Sequence, residues 1–196
     1  MDTSREHSGQ RTGGGCAWRR GILAAIVAGG VLLLIPTYGL QVITVTSASM
    51  SPALLPGDSV FVNRLAYRLH SPHRGDLIAF RFPQAAGREF VKRVIGLPGD
   101  VVSEQGGHLY VNGALLAQAQ PMASIAESEP DADQPPRPVP AGQLYVLGDN
   151  RASSLDSRFW GPVRERDVLG EAFLICWSHG RRWWQVRWTR LGRGLP

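Results

Sequence analysis

The stretch Phe90-Val-Lys-Arg-Val-Ile-Gly-Leu-Pro-Gly-Asp100 is a short apolar run stopped by a turn. Its β-branched and aromatic residues favour a strand, and Pro98-Gly-Asp supplies the punctuation that ends it. Successive side chains of a strand point to opposite faces. Phe90, Lys92 and Val94 therefore share one face, directed inward, while Arg93 points out. This places an amine in the interior. Lys92 is also the only lysine of the 196-residue chain; the other 20 of its 21 basic residues are arginine. Arginine does not lose its proton at any useful pH, whereas a desolvated lysine does, because burial disfavours the charged form and lowers its pKa from about 10.4. A coding bias toward arginine accounts for the scarcity of lysine. It does not account for the inward position of the one that is left.

Outward from this stretch the pattern stays β. Short strands are expected at residues 42–46, 59–63, 77–82, 109–115, 144–147, 173–177 and 183–188. Pro56-Gly-Asp58 and Arg74-Gly-Asp76 read as turns between them, and Asn112-Gly113 between apolar residues is a strong hairpin signal. Residues 118–143 (QAQPMASIAESEPDADQPPRPVPAGQ) are acidic, rich in alanine and proline and without periodicity, so they read as a variable loop or reduced insertion. Many short strands with few helical patterns imply a mainly β, antiparallel domain over residues 43–196.

The N-terminal end differs. Residues 1–20 are polar and glycine-rich with four arginines, a cytoplasmic tail on this reading. No Asp, Glu, Lys or Arg occurs from Gly21 to Gly57. Residues 21–40 (GILAAIVAGGVLLLIPTYGL) suffice to cross about 30 Å of hydrocarbon as a helix, and the anchor is assigned to residues 21–42. Arginines before the span and none close behind it orient the N-terminus inward and the β-domain outward. A cleaved signal peptide is the competing account, with Ser47-Ala48-Ser49 as its small-residue site. The apolar run is longer than the roughly 7–15 residues of such a peptide, which favours a retained anchor.

Composition excludes other classes. The formal charge of +5 is spread along the chain, with no basic stripe and no nucleic-acid motif. Cys16 and Cys176 lack metal-ligand spacing and fall on opposite sides of the expected span, so they are not expected to pair. His70, His73, His108 and His179 sit beside glycine, serine or proline and read as loop residues, which leaves no Ser-His-Asp pattern. A serine nucleophile needs a base, and Lys92 is the residue able to serve Ser49 in the run Thr46-Ser-Ala-Ser-Met-Ser-Pro52. Asp149 and Asn150 read as turn residues, and Asp156 as an ion-pair partner.

Three stretches together carry a resemblance: Ser47-Ala-Ser-Met-Ser-Pro-Ala-Leu-Leu-Pro-Gly-Asp58, Phe90 to Asp100 as quoted, and Gly148-Asp-Asn-Arg-Ala-Ser-Ser-Leu-Asp-Ser-Arg-Phe-Trp-Gly161. With Arg74-Gly-Asp76, they resemble the bacterial type I signal peptidases, membrane-bound Ser/Lys proteases that remove signal peptides. The resemblance implies that Ser49 is the nucleophile and Lys92 the general base. It implies that Ser47 helps form the oxyanion hole with the backbone N–H of Ser49, and that Ser154 orients the lysine. Asp156 and Arg158 match a supporting ion pair. Ile43, Val45, Met50, Leu54, Phe90 and Val91 match the substrate-binding surface, where small residues before the scissile bond enter shallow pockets. Thr46, Ala53 and Ala152 depart from the usual residues of the motifs without removing a catalytic group.

The expectation is therefore a signal-peptidase-like β-domain on a single transmembrane helix in the bacterial inner membrane. Its partners would be signal-peptide-bearing preproteins, membrane lipid and, transiently, the secretion translocon. No cofactor, metal or nucleic acid is expected. A dedicated Ser/Lys protease for a conjugation or pilus component, and a silent anchored domain that binds exported chains, are the alternatives. The role of residues 118–143 and any membrane contact by the tryptophan- and arginine-rich C-terminal segment are left open.

Overall fold

The computed structural model describes residues 39–82, 87–116, 134–180 and 182–195, together with the helical positions Ile22 and Gly29. The chain divides into two compact units, Met1–Tyr38 and Gly39–Pro196. The tail and most of the expected anchor lie outside the described residues, and among the described residues no helix is long and apolar enough to cross a membrane. Residues 40–42, at the end of the range assigned to the anchor, are strand.

The second unit is mainly antiparallel β. Its strands are β1 (Leu40–Thr44), β2 (Asp58–Asn63), β3 (Leu77–Arg81), β4 (Glu89–Gly96), β5 (Val101–Gln105), β6 (His108–Val111), β7 (Ala114–Leu115), β8 (Gln134–Pro138), β9 (Gln143–Leu147), β10 (Val163–Arg164) and β11 (Val168–Ser178). Two single-turn helices, α1 (Ala66–Leu69) and α2 (Ser157–Trp160), interrupt them. The larger sheet has the order β1-β2-β11-β3-β4-β9-β10 and the smaller one β7-β6-β5-β8.

The interior strands of the larger sheet are covered on both faces. In β3, Leu77 and Ala79 pack into one apolar cluster with Val45, Met50, Leu54 and Val91, while Ile78 and Phe80 pack into another with Val94, Leu144 and Val146. That is the two-residue alternation of a strand expressed on two buried sides, and it explains why β3 is a continuous apolar run. A third cluster, containing Val102, Leu109, Val111 and Tyr145, ties the smaller sheet to β9. The β6–β7 hairpin turns at Asn112 and Gly113, with φ of 54° and 78°. Positive φ at both central residues is what a two-residue hairpin of this type demands, and Asn-Gly meets it at low cost.

Four expectations need correction. Arg93 does not point freely outward: its side chain is 18% exposed and paired with Asp149. The segment 183–188 is no sheet strand. Gln185 N–H bonds back to Arg182, only Val186 makes a bridge (to His179), and Trp183, Trp184 and Trp188 are 74, 57 and 72% exposed. The aromatic β-propensity of this run is overridden because Arg187 and Arg190 are drawn to the buried Asp58. The stretch 118–143 is not all loop, since β8 lies within it and pairs with β5; residues 117–133 lie outside the described residues. Pro135 and Pro136 hid this strand, but β8 is an edge strand, where proline is tolerated. Finally, β5 itself went unassigned because its polar Ser103 and Glu104 are buried rather than facing solvent.

Candidate active site

Residues 45–57 form a loop between β1 and β2 whose ends are tied by Val45 N–H to the Asp58 carbonyl (2.7 Å) and Gly57 N–H to the Val45 carbonyl (2.8 Å). Ser49 lies in this loop, 7% exposed. Lys92 lies in β4, opposite Ile78 of β3, and is 3% exposed. Its Nζ is 2.7 Å from Ser49 Oγ and 3.0 Å from Ser154 Oγ, donating to both. Ser47 Oγ is 3.1 Å from Ser49 Oγ, and Ser154 is 5% exposed. The structure thus brings together Ser47, Ser49, Lys92 and Ser154, residues spread over more than 100 positions of sequence.

Burial is the dominant influence on Lys92. It pushes the ammonium pKa from 10.5 down to about 8; the Asp156 carboxylate works against this and the Arg158 guanidinium with it. A lysine of that pKa is a competent proton acceptor near neutral pH. When the amine is neutral, its lone pair can accept the Ser49 proton while its N–H still donates to Ser154. The hydroxyl of Ser154 orients the amine without favouring its charge as a carboxylate would.

Asp156 and Arg158 form a bidentate pair (Nε to Oδ1 2.9 Å, Nη2 to Oδ2 3.1 Å), with Asp156 fully buried. Asp156 also accepts the N–H of Gly148 (3.1 Å) and caps α2 through the N–H of Arg158. Arg158 in turn donates to the carbonyl of Arg151 (2.6 Å). The pair therefore closes the loop 148–158 on itself, which fixes where Ser154 points.

Three residues read only as turn-formers, or not singled out, prove to staple this loop to the rest of the site. Asp149 takes two hydrogen bonds from Arg93, both 2.8 Å, so it is held by the residue next to Lys92. Asn150 donates its N–H to the Ser49 carbonyl (3.0 Å) and its side-chain amide to the Ala48 carbonyl (3.3 Å). Gly148 passes so close that a Cβ there would fall 2.5 Å from the Ser49 carbonyl oxygen and 2.6 Å from Ser154 Cβ, so any larger residue must push one of them aside. A sequence signal existed in the unbroken Gly-Asp-Asn-Arg run, but turn chemistry explained it equally well.

A cleft of about 220 Å³ opens above these groups. Ile43, Val45, Met50, Phe90, Val91 and Leu155 line it together with exposed Ser47 and buried Ser49 and Lys92. Leu54 does not line it; it is fully buried in the cluster behind Met50. That position follows from the loop, where Leu54 N–H bonds the Met50 carbonyl (2.8 Å) and the side chain turns into the core. One wall is β1, which among the described residues is an edge strand paired only with β2. The other is the start of β4, where residues 89–92 pair with β3 on one side and, among the described residues, with no strand on the other. Both walls thus offer backbone groups to an extended peptide.

A β-domain that sets a serine hydroxyl against a buried amine, in a cleft with free strand edges on both sides, is the arrangement of a serine peptidase. Comparison with known proteins agrees. A family model described as signal peptidase, peptidase S26, matches residues 18–177. A signal peptidase I of Leptolyngbya laminosa is 36% identical over 154 residues, 75% of this chain and 73% of that one. A probable signal peptidase I-2 of Synechocystis is 36% identical over 161 residues, 80% of this chain and 70% of its own. A signal peptidase I of Aquifex aeolicus is 32% identical over 203 residues, 75% and 79% of the two chains. This chain belongs to the signal peptidase (peptidase S26) family.

Proposed function

We propose that the protein is a membrane-bound serine endopeptidase that cleaves signal peptides from exported preproteins, with Ser49 as nucleophile and Lys92 as general base. Membership of the family supports the activity. The observation that carries the mechanism is the 2.7 Å contact between Ser49 and the one lysine of the chain, buried and depressed in pKa.

Neutral Lys92 takes the proton of Ser49 Oγ as the oxygen attacks the carbonyl carbon before the scissile bond. The oxyanion that forms is met by the Ser47 hydroxyl and the backbone N–H of Ser49, donors aimed where charge develops. The ammonium of Lys92 then gives its proton to the departing amine, which leaves as the new N-terminus of the mature protein. The acyl-enzyme ester remains on Ser49. Water, deprotonated by the same amine, hydrolyses it and releases the signal peptide carboxylate. Ser154 holds the amine in line through both steps, and Asp156 with Arg158 holds Ser154.

The substrate lies extended between β1 and the start of β4, with small side chains in the pocket of Val45, Met50 and Val91. The uncharged stretch before β1 anchors the protein in the inner membrane with the β-domain outside, where preproteins leave the translocon and contact lipid. Nine residues from Leu40 to Ser49 keep the site within about 30 Å of the end of that stretch even if fully extended. Detergent-solubilised protein incubated with a preprotein should give a new N-terminus immediately after the signal sequence, and an acylating inhibitor should leave its mass on Ser49. Absence of both would refute the reading and favour a silent binding domain. Cleavage of only one class of exported protein would favour a dedicated processing protease.

A further inference from the structure

We infer that Gln41 and Glu89 clasp the far end of the cleft, and that Glu89 selects for a basic side chain a few residues upstream of the scissile bond. The inference rests on the function proposed above. Gln41 Nε2 of β1 donates to both carboxylate oxygens of Glu89 of β4, at 3.1 and 2.9 Å. These two strands are the opposite walls of the cleft, so the contact crosses it. From Gln41 to Val45 is four strand residues, about 13 Å, and from Glu89 to Lys92 is three, about 10 Å. An extended substrate has the same rise, so the clasp stands about three to five residues from the bond being cut, on the acyl side.

Among the described residues Glu89 is the only carboxylate that lines the cleft, and the other ionisable group there, Lys92, is buried. Arg81 lies opposite Glu89 in the β3–β4 register, yet the carboxylate turns to the neutral amide of Gln41. A cationic donor adds direct attraction between opposite charges to the hydrogen bond, which the neutral amide of Gln41 cannot supply. A lysine or arginine of the substrate therefore displaces Gln41, opens the clasp and gains an ion pair. An acidic substrate residue meets a like charge at the same point.

The test uses detergent-solubilised full-length protein and peptides that are identical except at the fourth and fifth residues before the cleavage site, which carry Lys, Gln or Glu. The readout is the ratio of kcat/KM for the Lys and Glu peptides within each enzyme, so a general loss of activity in a variant cancels. For an exposed charge pair the Lys peptide should be favoured about two- to fivefold over the Gln peptide, mainly through KM, with the preference shrinking as salt is added. In Glu89→Arg the order should invert. A wild-type ratio near one, or the same ratio in wild type and Glu89→Arg, overturns the clasp. If wild type cleaves none of the peptides, the proposed function fails and the clasp with it.

Discussion

Replacing Lys92 with methionine should abolish cleavage and, at neutral pH, make the protein more stable. The lysine is pushed from 10.5 down to about 8 by burial, a difference of about 2.5 units. At 1.36 kcal/mol per unit this amounts to about 3 kcal/mol. The sign follows from proton binding. Between pH 8 and 10.5 the unfolded chain holds a proton that the folded chain has released, so wild-type stability rises with pH across this window. Below pH 8 the full cost of burying the charge is present, and above 10.5 it is gone. Methionine has similar length and no titration. It loses the hydrogen bonds to Ser49 and Ser154, each worth about 1 kcal/mol. Lys92→Met should therefore be about 1 kcal/mol more stable than wild type at pH 7 and about 2 kcal/mol less stable above pH 10.5. Urea unfolding in detergent, followed by tryptophan fluorescence at several pH values, gives both curves. Curves that run parallel from pH 7 to 10.5 would refute the depressed pKa, and with it the account of Lys92 as a base.

The rate should follow the same proton: kcat/KM should rise tenfold per pH unit, level near pH 8 and vanish in Lys92→Arg, which keeps the charge but cannot be neutral. Ser47→Ala should lower turnover about 10²- to 10³-fold as an oxyanion donor is lost, and Ser154→Ala should lower it with little change in melting temperature; full activity in both would leave these hydroxyls without a role. Gly148→Ala should lower kcat more than it raises KM, because the new methyl must displace Ser154 or the Ser49 carbonyl, and such overpacking costs about 1–3 kcal/mol. Arg190→Ala should lower the melting temperature strongly. Asp58 is fully buried, and although burial pushes its carboxyl up, the hydrogen bonds from Arg190, Leu55 N–H and Ser178 outweigh this and hold it below the usual carboxylate range. Removing one partner of such a pair costs about 3 kcal/mol or more, and an unchanged unfolding curve would show that Arg187 alone suffices.

The β-class of the domain was legible because its strands are short apolar and β-branched runs and the turns between them use Pro-Gly-Asp, Arg-Gly-Asp and Asn-Gly. Sequence pattern failed where burial and polarity part company. Val101–Gln105 looks like the start of a loop because Ser103 and Glu104 are polar, yet both are buried within the smaller sheet. Gln134–Pro138 looks like a linker because of its three prolines, yet an edge strand needs donors on one side only. Trp183 and Trp184 look like strand residues, yet the arginines that follow are bonded to the loop carrying Ser49: Arg190 to the Ala53 carbonyl at 2.8 Å and Arg187 to the Pro56 carbonyl at 2.6 Å. No window of local sequence contains the partner that decides these cases.

The same limit explains which parts of the site were readable. Lys92 stood out because its residue type is unique and its chemistry differs from that of arginine. Asp149, Asn150 and Gly148 have ordinary loop identities, and their importance lies in what they reach. Arg93 and Lys92 are neighbours in β4, so their side chains leave the strand in opposite directions. One goes to Ser49 and the other to Asp149, and Asn150 returns from Asp149 to the carbonyl of Ser49. Strand, loop and nucleophile are thereby linked in a closed circuit around the amine. Such a circuit allows the lysine to be neutral: with Arg93 taken by Asp149 and Asp156 by Arg158, each neighbouring carboxylate already has a guanidinium partner. An unpaired carboxylate beside Lys92 would raise its pKa toward the solution value and, on the proposed mechanism, leave Ser49 without a base. On the proposed mechanism the arginines around the single lysine therefore have a part in the chemistry: the permanent cations satisfy the acids so that the titratable one can release its proton.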